Sequence, residues 1–175
     1  EFNMHIIFLL IPFLMIRFGL LWYFDKEAIG RAAHFAPMEP RERPAYWTYQ
    51  ITTLAIFLIS IFLPAKAGSL IFYLGGVLYL LGLALCVLSM RDFSRPSPEG
   101  FCRKGVYRIS RNPMYLAYFL CFLGCALLAR SLFLLLIVFL FQISAHWIIR
   151  AEERWCIAQF GEEYLQYMHA VRRYL

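Results

Sequence analysis

Two clusters of polar and aromatic residues stand out against a largely apolar chain. In GVYRISRNPMY, residues 105–115, Tyr107, Arg111 and Tyr115 recur every four residues until Asn112-Pro113 interrupts the run. Asn is a favoured N-cap and Pro a favoured first helical residue. A helix is therefore expected to start at Pro113, with its positive dipole end beside Arg108 and Arg111. Such an end suits an anion. In IIRAEERWCIAQFGEEYLQYMHAVRRYL, residues 148–175, Glu152 and Glu153 stand side by side between Arg150 and Arg154. Two carboxylates at an apolar boundary need cations or donors. The flanking arginines meet that need, and so does the ammonium of a ligand.

Each cluster has a plainer reading. The first is also what a capped helix with interfacial Tyr and Arg anchors looks like, and the second a helix leaving a membrane. Together they say more. An anion site, a carboxylate pair and tyrosine faces suited to an aromatic base and a sulfonium match the chemistry of S-adenosylmethionine.

The elements that must position these clusters are apolar helices. The chain has 175 residues, 62% of them hydrophobic. Five apolar stretches, at about 4–24, 45–63, 68–90, 113–129 and 131–149, approach the roughly 20 residues that cross a bilayer core. The expected fold is an all-α integral membrane protein of five transmembrane helices, because lipid leaves open backbone groups unsatisfied. Only Arg130 separates the last two stretches, so they form a tight hairpin. Gly161 is a helix-stop signal. Beyond it, Tyr164, Leu165, Met168, Val171 and Leu175 recur at helical spacing, as in an amphipathic helix lying at the cytosolic face or capping a cavity. The whole reads as one membrane domain, with 1–104 a three-span scaffold and 105–175 a cofactor-binding half.

Lys and Arg fall unevenly. Residues 25–44, 91–112 and 150–175 carry four, six and four, whereas the opposite side has Lys66 and Arg130 alone. By the positive-inside tendency the amino terminus faces out, and the carboxy terminus and any active site face the cytosol. The net charge of +6 belongs to this topology, so nucleic acid is not an expected partner. The five cysteines form no C-x-x-C pair and the four histidines no ligand pair at metal spacing, so no metal is expected. Spans two to four carry no charge, which argues against an ion pathway. Arg17, inside the first span, reads as a side chain snorkelling to an interface or as an exception with a purpose. His146, one turn before Arg150, reads as packing or as a site residue. Residues Glu1–Asn3, ahead of Met4, read as a remnant preceding the start.

The paired motifs resemble the isoprenylcysteine carboxyl methyltransferases and the related phospholipid methyltransferases. The shared pattern is G-x-Y-x-x-x-R-H/N-P-x-Y, then E-E, F-G-x-x-Y-x-x-Y and V-x-R, covering about Gly105 to Arg173. The resemblance implies a membrane methyltransferase, bacterial and of the inner membrane, using S-adenosylmethionine. It implies that Tyr107, Arg111, Asn112, Pro113, Met114 and Tyr115 hold the donor, joined by Glu152, Glu153, Tyr164 and Tyr167, with Phe160 and Gly161 shaping the turn. Arg150, Arg172, Arg173 and His146 are the candidates for orienting or activating the acceptor. That acceptor would be lipophilic: a small molecule, a prenylated carboxylate, or a lipid presenting a thiol, amine or headgroup. Asn112 stands where eukaryotic relatives have His, and Ala117 where Gly is common, two departures that bear on the prenylated substrate. Two rival readings are a nicotinamide-dependent membrane reductase and a non-catalytic carrier or scaffold.

Overall fold

A computed structural model describes residues 4–24, 26, 34–95, 98 and 100–175. Glu1–Asn3 and Arg31 lie outside the described residues. Among the described residues five long helices follow in order: α1 (Ile7–Phe24), α2 (Arg43–Phe62), α3 (Leu70–Phe93), α4 (Pro113–Ala129) and α5 (Leu132–Ala170). The described residues contain no β-strand, only an isolated bridge between His5 and Pro64.

Local chemistry sets the boundaries. Ser69 Oγ accepts from Phe72 N at 3.2 Å and so starts α3. Ser131 Oγ accepts from Leu134 N at 3.2 Å and starts α5. Between α4 and α5, Arg130 adopts a left-handed conformation (φ 50°, ψ 41°), which closes the expected hairpin within two residues. A capping box between Glu39 and Glu42 introduces α2 through the 3₁₀ turn Pro40–Glu42.

Among the described residues four segments are long and apolar enough to cross a membrane: Ile7–Phe24, Pro40–Phe62, Leu70–Phe93 and Leu132–Ala170. The fifth, α4, is apolar but has 17 residues, about 26 Å at 1.5 Å per residue, short of a hydrocarbon core of roughly 30 Å. In contrast α5 outruns the core. Gly161 (φ 55°, ψ −132°) then breaks it into a long arm and the short arm 162–170. That backbone is one that L side chains rarely adopt, which is why the stop signal falls on glycine.

At one end, Ile6 N donates to Leu63 O (2.8 Å) and Lys66 N to Leu128 O (2.9 Å), tying the start of α1 to the end of α2 and the α2–α3 connection to the end of α4. The opposite end gathers the start of α2, the finish of α3, the start of α4 and the exit of α5. Between the two ends Phe13, Phe122 and Phe141 form an edge-to-face chain at 5.2 and 5.1 Å. Such pairs contribute about 0.5–1.5 kcal/mol each beyond their burial. Helices α3 and α4 approach most closely. A Cβ on Gly82 would lie 2.6 Å from Cys121 N, and one on Gly124 2.6 Å from Tyr79 N. Leu54, Leu58, Leu74, Leu80, Leu136 and Ile143 point outward and exposed, as helices facing lipid require.

Candidate active site

The site is built where α4 begins. Asn112 occupies the N-cap position but makes no side-chain cap. This departs from the expected Asn cap, and the cause is a competing acceptor: Asn112 Nδ2 donates to Arg173 O at 3.1 Å. Arg111 is likewise turned toward the C-terminal segment. Its Nη1 donates to Met168 O (2.7 Å) and Val171 O (3.1 Å), and its Nε to Glu153 Oε1 (3.1 Å). Arg173 meets the other oxygen of Glu153, with Nη2 at 2.7 Å and Nε at 3.0 Å. Glu153 is 3% exposed and sits between two guanidinium groups. The expected anion site at Arg111 is therefore already filled by the protein's own carboxylate.

Glu152 has different surroundings. Successive residues of a helix project about 100° apart, so Glu152 leaves this clamp and turns into a cavity. Tyr115 Oη donates to Glu152 Oε1 at 2.7 Å. Among the described residues Glu152 makes no ion pair.

The cavity measures about 610 Å³, within the range of roughly 300–1,000 Å³ usual for small-molecule sites. Of the residues expected to hold the donor, Tyr107, Arg111, Asn112, Met114, Tyr115, Glu152, Glu153, Tyr164 and Tyr167 line it. Pro113 is buried at the first position of α4 and is not in the lining. Arg150, Arg172, Arg173 and His146 are not in the lining either. Arg150 lies over the Trp147 ring at 5.0 Å, and His146 Nδ1 is 2.8 Å from Tyr174 Oη.

Several lining residues were not among the expected ones. Tyr49 comes from α2, stacked on Phe141 at 5.0 Å. Tyr118 comes from the second turn of α4, and Arg17 from α1. His34, Phe35 and Ala36 form one wall ahead of α2, while Phe93, Gly100, Phe101 and Cys102 form another between α3 and α4. Spacing within a single helix signals none of these, because they meet the motifs only through the fold. The wall at His34 is pinned in place: Arg154 reaches back to Glu42, Nη1 donating to Oε1 at 2.8 Å and Nη2 pairing with Oε2. The wall at Phe101 packs on Tyr164 and Tyr167 at 5.2 and 5.6 Å, and Tyr167 Oη donates to Tyr107 O at 2.7 Å.

Burial pushes the Tyr107 phenol well above its usual range and raises the Cys102 thiol as well. Both are therefore neutral, and Cys102 is a poor nucleophile. Among the described residues there is no group of three His, Cys, Asp or Glu able to hold a metal ion. The arrangement can bind an organic cation: an aromatic-walled hollow with one carboxylate that has no cationic partner among the described residues.

A family model described as phospholipid methyltransferase matches residues 70–163, more than half of the chain. The chain belongs to the phospholipid methyltransferase family. It is thus an integral-membrane methyltransferase acting on a membrane-associated substrate. The matched segment runs from α3 into the short arm of α5. It includes Tyr115, Glu152 and Glu153, and it excludes Arg17, Tyr49 and the wall at His34. Searches of curated proteins and of solved structures returned no match.

Proposed function

We propose that the protein transfers a methyl group from S-adenosylmethionine to a lipophilic acceptor within this cavity. The observation that carries the reading is Glu152: a carboxylate with a phenol as its hydrogen-bond donor, aimed into an aromatic-walled hollow. The donor set suits the cofactor. Glu152 holds its ammonium. The first-turn N–H groups of Met114 and Tyr115, which have no intrahelical partner, serve its carboxylate. Tyr49, Tyr107 and Tyr118 offer ring faces to the sulfonium and the base. When bound, the donor supplies an electrophilic methyl carbon on sulfur.

The chain's own residues bind, orient and exclude water. Tyr115 fixes the rotamer of Glu152. The clamp of Arg111, Glu153 and Arg173 holds the start of α4 against residues 168–173, so the two sides of the cavity keep a constant separation. Correct placement of donor and acceptor supplies several kcal/mol of the barrier or more. The walls at Phe35 and Phe101 keep water from the reacting centre. The basic end faces the cytosol in this reading, so the donor enters there and the acceptor enters sideways from the bilayer. Arg173 acts through Glu153. Arg150, Arg172 and His146, all outside the lining, are left without contact to the donor.

Calorimetry of the purified full chain tests the reading. S-adenosylhomocysteine should bind and NADPH should not. NADPH binding without S-adenosylhomocysteine binding would replace the methyl donor by a nicotinamide reductant, and binding of neither would leave no catalytic donor.

A further inference from the structure

Arg17 sits inside α1, seven residues from Phe24, about 10 Å below the basic end at 1.5 Å per residue. The helix is widened there into a π-helical stretch, Met15–Leu20. Such bulges gather at functional positions. A snorkelling arginine would run its side chain out to the membrane surface. Arg17 instead lines the cavity, with its guanidinium carbon 4.6 Å from the centre of the Tyr118 ring. The titratable groups that act on it include Tyr118, Tyr49, Tyr115 and Cys86. All are phenols or a thiol, and among the described residues none is a carboxylate paired with Arg17. A cation at membrane depth with no acidic partner marks a ligand position.

Resting on the methyl-transfer reading, we infer that Arg17 receives the anionic oxygen group, carboxylate or phosphate, of the lipophilic acceptor and so selects acidic acceptors over neutral ones. Among the described residues the cavity has two charges without ionic partners, and they are of opposite sign. Glu152 stands at the exit of α5, near the start of α4 where a polar donor has its anion contacts. Arg17 stands deeper, among aromatic rings, where a lipid-borne head can arrive with its tail still in the bilayer. A planar guanidinium presents paired N–H groups that match carboxylate and phosphate oxygens.

Equilibrium binding of radiolabelled palmitate, hexadecyl phosphate and hexadecanol to the full chain, with and without S-adenosylhomocysteine, tests this. At least one of the two anions should bind about ten-fold tighter than the alcohol, a difference of about 1.4 kcal/mol. Whichever anion is preferred identifies the oxyanion as carboxylate or phosphate. R17M should erase the preference while keeping S-adenosylhomocysteine affinity within about three-fold, and R17K should retain part of it. R17Q carries the same test should R17M fail to fold. Equal binding of all three probes by the wild type overturns the inference, and so does a preference that survives R17M. A loss of about ten-fold or more in S-adenosylhomocysteine affinity in R17M also overturns it, by moving Arg17 to the donor's carboxylate. If the wild type does not bind S-adenosylhomocysteine at all, the donor reading fails separately, and the lipid arms without it still decide the role of Arg17.

Discussion

Glu152 and Glu153 are adjacent in the chain and opposite in circumstance. Glu153 is enclosed, with Arg111 on one oxygen and Arg173 on the other. Glu152 faces a hollow with one phenol for company. A carboxylate whose charge is fully met holds a structure together. One whose charge is left over is available to a ligand. Two consecutive residues of one helix thus divide the work of the site: the rotation of about 100° between them points them apart, and the packing of α5 against α4 decides which one meets the arginines.

The largest effect expected from disturbing this contrast is on stability. Glu153→Ala leaves the Arg111 guanidinium, 8% exposed, without its counter-ion, and removing one partner of a buried pair costs about 3–5 kcal/mol. Unfolding by denaturant titration should show that loss, and Glu152→Gln should show little. Equal destabilisation by both would erase the distinction. The next effect is on binding. Glu152→Gln keeps the shape of the side chain and removes the charge, so calorimetric affinity for S-adenosylmethionine should fall about ten-fold or more, equivalent to at least about 1.4 kcal/mol. Retained affinity would mean that the leftover carboxylate is not a cation site. The smallest is Tyr115→Phe, which takes away the hydrogen bond to Glu152 and should weaken donor binding by about 0.5–1.5 kcal/mol. A larger loss than in Glu152→Gln would show that the Tyr115 hydroxyl contacts the donor itself.

The five helices were readable because charge-free runs of bilayer length leave few alternatives. The start at Pro113 and the break at Gly161 were readable because both residues restrict the backbone locally. The Glu pair was legible as a pair, but its division was not. That depends on which side of α5 faces α4, a fact of packing. Arg111 was expected to meet a ligand's anion, yet it pairs with Glu153, because its true partners lie 42 to 60 residues away. Arg17 was ambiguous for a related reason. It points into the cavity from a π-helical stretch, a local geometry that hydrophobic spacing does not reveal. The walls at His34 and Phe101 carry no periodic signal and join the site through long-range contacts, among them the Glu42–Arg154 tie, the His34–Trp155 ring contact and the tyrosines of the short arm.

The docking of Arg111 onto the carbonyls of Met168 and Val171 also bears on biogenesis. When α4 is laid into the bilayer, the segment that will satisfy its leading guanidinium has still to be synthesised, some 57 to 60 residues downstream. Until residues 168–171 emerge, the Arg111 guanidinium lacks two of its carbonyl acceptors. Assembly of the site therefore waits on the synthesis of that downstream segment.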